Sequence, residues 1–227
     1  MIPWELLGEA RVAGDGKRLS LYRRDREYSI RLGGGGELMN SRSHGSEEAL
    51  AELGCARLVD RAQPHVLIGG LGMGFTLAAA LARLGAAACV TMAELVPEVV
   101  AWNRGPLGEL AGHPLLDSRV QVHECDVARL IDAQTCTYDA ILLDVDNGPE
   151  GLTHTDNDWL YGCEGLAAAY AALRTDGVLA VWSAGYEPAF TGRLLKAGFE
   201  VEERRVRARG SRGARHVIWL ARLPETL

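Results

Sequence analysis

The stretch Val66-Leu67-Ile68-Gly69-Gly70-Leu71-Gly72-Met73-Gly74 decides the fold. A short, unbroken apolar run ends in a cluster of glycines, and an apolar-periodic segment follows from about Gly74 to Leu84. Such a pattern reads as a buried strand passing through a tight turn into a helix. Glycine lets the backbone approach a ligand closely, and the start of the helix offers N–H groups with no partner in the helix. The dinucleotide pattern G-x-G-x-x-G is not met, because residue 75 is Phe. Gly70, Gly72 and Gly74 instead give G-x-G-x-G, nearer to S-adenosylmethionine enzymes than to dehydrogenases. Glycine-rich turns also serve packing alone, so the loop by itself says only that a nucleotide-like ligand fits.

Working outward, the rhythm from residue 65 onward is β-α-β-α. Strands are expected at His65–Gly69, Ala88–Ala93, Arg119–His123, Tyr138–Asp144 and Val178–Trp182. Helices are expected at about Gly74–Leu84, Pro97–Asn103, Val127–Ala133, Asp158–Leu173 and Pro188–Ala197. The strands are continuous apolar runs, as a parallel sheet covered on both faces requires. Past Gly198 two strand-like stretches, Glu200–Val206 and His216–Arg222, predict an antiparallel hairpin closing one sheet edge. Before the glycine loop, residues 1–40 alternate around Leu19 and Leu21 and around Tyr28, Ile30 and Leu32, with a turn at Asp25-Arg26. They predict a small β appendage that must dock on the rest, leaving 41–227 as the nucleotide-binding domain. Ser46-Glu47-Glu48 reads as a helix start, with a capping serine and acids in the first turn.

Acids recur where the strands end. Glu94 lies 24 residues after Gly70, where a carboxylate can accept from both ribose hydroxyls. Asp126 follows the third strand, where it can meet an adenine amino group, and Asp144 closes the fourth. Any one of them could be a helix cap. All three at the carboxyl edge beside the glycine loop indicate an adenosyl site held by Gly69, Gly70, Gly72, Gly74, Glu94 and Asp126.

These residues resemble the spermidine synthase (polyamine aminopropyltransferase) family. Val66–Gly70 is similar to its strand and loop, Ala93-Glu94-Leu95-Val96-Pro97 to its ribose-binding segment and Cys125-Asp126-Val127 to its adenine-binding Asp. Tyr138–Asp144 is similar to the strand that leads to its catalytic Asp. The resemblance implies an α/β fold with a Rossmann-like class I methyltransferase sheet, mostly parallel, with an antiparallel C-terminal hairpin and a small N-terminal β appendage. It also implies Asp144 as the catalytic base, a small-molecule acceptor and a homodimer.

The chain departs from the family in three places. Gly72 stands where the family carries the Asp that holds the amino group of decarboxylated S-adenosylmethionine, so ordinary S-adenosylmethionine should be admitted. The family's D-x-x-D spacing is here Asp144-Val145-Asp146, and its polyamine-binding Tyr has no counterpart in 37–44. The expectation is therefore methyl transfer from S-adenosylmethionine to a small acceptor, an amine among the candidates. Aminopropyl transfer from the decarboxylated form is the alternative, and a non-catalytic nucleotide-binding regulator is a third. Asp146 would help hold a cation, and His44 and Glu47 could contact substrate. Trp182-Ser183-Ala184 could floor the pocket, and His154 could belong to a lid.

Composition bounds the rest. A net charge of -6 argues against broad nucleic-acid binding. Arg204, Arg205, Arg207, Arg209, Arg212 and Arg215 bunch near the hairpin, but no interleaved aromatics offer bases a stacking surface. The cysteines and histidines lack metal-ligand spacing, so no metal is expected. Met1-Ile2-Pro3-Trp4-Glu5 begins no basic-then-apolar leader, and no apolar stretch reaches the roughly 18 residues of a membrane span. A cytoplasmic protein with reduced thiols is expected.

Overall fold

The apolar runs around the glycine loop become the centre of a mostly parallel sheet. The computed structural model describes residues 2–12, 16–34, 36–145, 148–149, 157–209 and 212–224. In it, β1 (Glu5–Arg11), β2 (Arg18–Arg24), β3 (Glu27–Leu32) and β4 (Glu37–Asn40) form an antiparallel meander. Next comes α1 (Gly45–Gly54), and then the alternation β5 (His65–Gly69), α2 (Phe75–Arg83), β6 (Cys89–Glu94), α3 (Pro97–Arg104), β7 (Val120–Glu124), α4 (Val127–Asp132) and β8 (Tyr138–Leu143). The chain ends with α5 (Asn157–Leu160), α6 (Cys163–Ala172), β9 (Leu173–Ser183), α7 (Pro188–Lys196), β10 (Glu200–Arg209) and β11 (Arg212–Arg222).

The second sheet has the order β10-β11-β9-β8-β5-β6-β7. Its five central and edge strands from β9 to β7 run parallel, while β11 and β10 are antiparallel. From β5 the chain winds outward through β6 to β7, then returns to lay β8 on the other side of β5. The crevice beyond the carboxyl ends of β5 and β8 is thus the topological switch point, where open α/β sheets bind ligands.

Successive residues of the central strands bury into opposite layers. Val66, Ile68, Ala140, Leu142 and Ala180 pack with Leu50, Leu77 and Val100 from α1, α2 and α3. Leu67, Ile141, Leu143, Leu179 and Val181 pack with Val127, Leu166 and Phe190 from α4, α6 and α7. Leu19, Leu21 and Ile30 of the meander join the first of these cores, so the small sheet shares that core.

Two local expectations fail for physical reasons. The helix expected over Asp158–Leu173 is split, because Gly162 is extended (ψ 177) and the backbone of Trp159 crosses within 2.3 Å of where a Gly165 Cβ would lie. Ser46 does not cap α1: the cap position is His44, and the Ser46 hydroxyl turns to Glu47 and His216 instead. Among the described residues no helix is long and apolar enough to cross a membrane.

Candidate active site

The glycine loop is shaped by backbone demands that only glycine meets cheaply. Gly70 (φ +88), Gly72 (φ +51) and Gly74 (φ +85) all lie in the left-handed region. A Cβ at Gly70 would sit 2.2 Å from the Asp144 carbonyl oxygen, so β5 and β8 can close together here only around a glycine. Gly70 N–H donates to Ala93 O, and Asp144 N–H donates to Gly69 O, each at 2.9 Å. The loop is stitched to both neighbouring strand ends. Gly69 packs on Val127, and Gly74 precedes α2.

Over this loop opens a cleft lined by Leu38, Met39 and Asn40 of β4 and by Trp182 of β9. Gly70, Gly72, Glu94, Asp126, Asp144 and Glu47 all line it. Four carboxylates therefore face one cavity, and among the described residues that line it there is no Lys, Arg or His.

Each acid is held differently. Glu94 is buried at the end of β6 and takes Leu71 N–H on Oε2 (2.8 Å) and Val96 N–H on Oε1 (2.9 Å). Burial pushes its carboxyl up, against the opposing pull of the loop N–H groups. Asp126 caps α4 through Oδ1 to Ala128 N–H at 2.8 Å, and Oδ2 has no partner among the described residues. Asp144 accepts from the Thr76 hydroxyl. Burial, and then the charge of Glu47, push Asp144 up to about 7, with the Thr76 bond opposing. Glu47 rises as well, chiefly from burial. The two carboxylates thus form a coupled pair that resists double ionisation until a cation arrives.

Other residues singled out in the sequence fall elsewhere. His44 lies outside the cleft wall, stacked on Phe75 (ring centroids 4.1 Å apart) with Nδ1 3.0 Å from Glu48 Oε1. Asp146 and His154 lie outside the described residues. Sequence reasoning missed Thr76, Met39 and Asn103, the last of which donates to Gly72 O and Val99 O (2.9 Å each) and so braces the loop. None carries a motif; only proximity marks them. Among the described residues no group of three or more His, Cys, Asp or Glu is placed to hold a metal ion.

The cleft suits an adenosyl sulfonium. Buried Glu94 and capping Asp126 line it, the glycine loop lets a ligand approach the backbone, and the acids match a sulfonium charge.

Comparison with known proteins bears on the fold and the family. The model of the spermine/spermidine synthase domain matches residues 44–190. A spermidine synthase solved in complex with the transition-state analogue AdoDATO is 18% identical, with a TM-score of 0.74 over 97% of this chain and 73% of that one. Spermidine synthase from Thermotoga maritima is 17% identical, with a TM-score of 0.75 over the same shares, 97% and 73%. A probable spermidine synthase from Corynebacterium glutamicum is 14% identical, with a TM-score of 0.66 over 98% and 81%. No curated protein sequence matches significantly.

The expectation of a methyltransferase is overturned by these findings, since both the matching family and the similar structures are of aminopropyltransferase type. The physical reason is where the negative charge comes from. Gly72 carried the inference, but a Cβ there would already lie 3.1 Å from the Met39 side chain. The acids that line the cleft come from α1, from the ends of β6 and β8 and from the cap of α4, all outside the glycine loop.

Proposed function

The chain belongs to the spermine/spermidine synthase family, and from that premise we propose that it transfers an aminopropyl group from decarboxylated S-adenosylmethionine to a small amine. The observation that carries this reading is the cleft lined by Glu47, Glu94, Asp126 and Asp144 with no basic side chain among its described residues. The decarboxylated donor bears a sulfonium and an ammonium and no carboxylate. Ordinary S-adenosylmethionine would bring a carboxylate into a cavity of like charge, with no cationic side chain among its described residues to receive it.

In this reading Glu94 receives the ribose hydroxyls, Asp126 the adenine amino group, and Gly70 and Gly72 the backbone approach. The donor supplies a carbon activated by a sulfonium leaving group. The acceptor amine arrives protonated, and Asp144 and Glu47 hold that cation and take its proton. A base near pH 7 suits this task, since it is largely ionised once a cation is beside it yet still basic enough to accept a proton. The freed nitrogen lone pair attacks the carbon, the C–S bond breaks and its electron pair stays on sulfur. The cleft places the two reactants together, which supplies much of the rate. A homodimer, as the family resemblance implies, and a cytoplasmic location, as expected from the sequence, complete the proposal.

Calorimetric titration with both donors tests it. The decarboxylated form should bind at least about tenfold more tightly, about 1.4 kcal/mol. Equal or reversed preference overturns the reading.

A further inference from the structure

The pair Glu47–Asp144 connects to a third group through hydrogen bonds that serve no obvious local purpose. Ser46 is completely buried in the first turn of α1 and does not cap the helix. Its hydroxyl lies 2.6 Å from Glu47 Oε2 and 2.8 Å from His216 Nδ1 on β11. His216 is half-buried at the sheet surface, next to the exposed Arg215, and meets the Trp182 ring edge-on at 4.7 Å. Trp182 also lines the cleft. Hydrogen bonds thus lead from Glu47, whose charge acts on Asp144, through Ser46 to His216 on β11.

We infer that Ser46 and His216 form a proton-exit relay from the Glu47–Asp144 pair. This rests on the proposed aminopropyl transfer, in which every turnover leaves one amine proton on the pair while donor and acceptor fill the cleft. The relay balances as follows. Protonated Glu47 donates to Ser46 Oγ, and the Ser46 hydroxyl hydrogen passes to His216 Nδ1. The imidazolium so formed loses its Nε2 proton to water. No electrons are exchanged, and the loss leaves His216 as the Nδ1–H tautomer. The ring exchanges that proton with water and regains Nε2–H before the next turnover restarts with the carboxylate ionised. Burial holds His216 below the ordinary histidine range, so it is neutral at pH 7 and able to accept. The titratable groups that act on Glu47 are His44 and Glu48, and the charge of Glu47 in turn acts on Asp144. Those packed on His216, Ser46 from α1 and Trp182 from β9, carry no charge.

The test uses His216→Gln, which keeps a hydrogen-bonding amide but cannot pass a proton, His216→Ala, and Ser46→Ala. Single-turnover and steady-state transfer are measured with decarboxylated S-adenosylmethionine and a diamine. The relay predicts kcat reduced about fivefold or more with KM for both substrates within about twofold, and recovery of His216→Ala by added imidazole. A kcat near wild type in folded variants, or a loss confined to KM, or no imidazole rescue, overturns it. Should the wild type transfer no aminopropyl group, the functional proposal fails, and carboxyl-carbon NMR of the cofactor-free protein decides the relay separately. There the exchange of the Glu47 carboxyl proton with water, read from the broadening of its signal, should slow about fivefold or more in His216→Gln. An unchanged exchange rate overturns the relay whatever reaction the protein catalyses.

Discussion

The Thr76 hydroxyl, from the first turn of α2, donates to Asp144 Oδ2 and reaches within 3.4 Å of the Glu47 carbonyl oxygen. One side chain just after the glycine loop thus fixes the orientation of the carboxylate at the end of β8. Donation to the ionised form holds the Asp144 pKa below where burial alone would put it.

Removing that hydroxyl should therefore move activity along the pH axis. In Thr76→Val the Asp144 pKa rises further, so the acid limb of the kcat/KM profile shifts upward by about one unit. Activity at pH 7 should fall several-fold and recover near pH 9. A uniform loss at all pH values would mean that Thr76 positions the substrate rather than the base.

Asp144 also loads the fold with a pH-dependent cost. Its folded pKa, about 7, lies above the ordinary aspartate value near 3.8. The protein therefore keeps the group's favourable contribution below pH 4 and loses it progressively as pH rises to about 7. Asp144→Asn should match wild-type thermal stability at pH 4, gain on it through that window and hold a constant advantage above it. Transfer activity should be lost. Thermal unfolding across pH, in the absence of ligand, makes the comparison.

Ligand binding should release protons for the same reason. At pH 6 the Asp144 carboxyl is mostly protonated, and a cation in the cleft favours its ionised form. Calorimetry in buffers of different ionisation enthalpy should show release of about half a proton or more per decarboxylated donor bound at pH 6, falling toward zero by pH 9. Proton uptake would contradict the assignment of the acids.

At the opposite end of β8, Asp139 anchors the fold instead of the site. It is buried, pairs with Arg61 and Arg174 and accepts His65 N–H at 2.7 Å. Asp139→Ala leaves that N–H without its acceptor, and should cost about 2–4 kcal/mol of stability. Denaturant titration measures it, while kcat/KM in the folded fraction should stay within about twofold.

Much of this protein was legible in one dimension because the information is local. The apolar run Val66–Gly69 and its glycines set a strand, a turn and a helix start by steric preference and burial alone. Glu94 and Asp144 follow because strand ends in such a sheet converge on one edge. Short-range rules failed where a residue serves a distant partner. Ser46 looked like a cap and is a bridge to His216, 170 positions away. Gly72 looked like a missing acid, but its neighbour is Met39 from another sheet, and the charge of the cleft comes from elsewhere.

The sequence by itself determined the α/β alternation, the nucleotide loop and the acids at its rim, since each rests on spacing within a strand, a turn or a helix. Only the tertiary structure decided what those acids do together. Charge coupling depends on distance and on exclusion of water, and neither exists until β8, α1 and the meander close over Gly70 and bring Glu47 to Asp144.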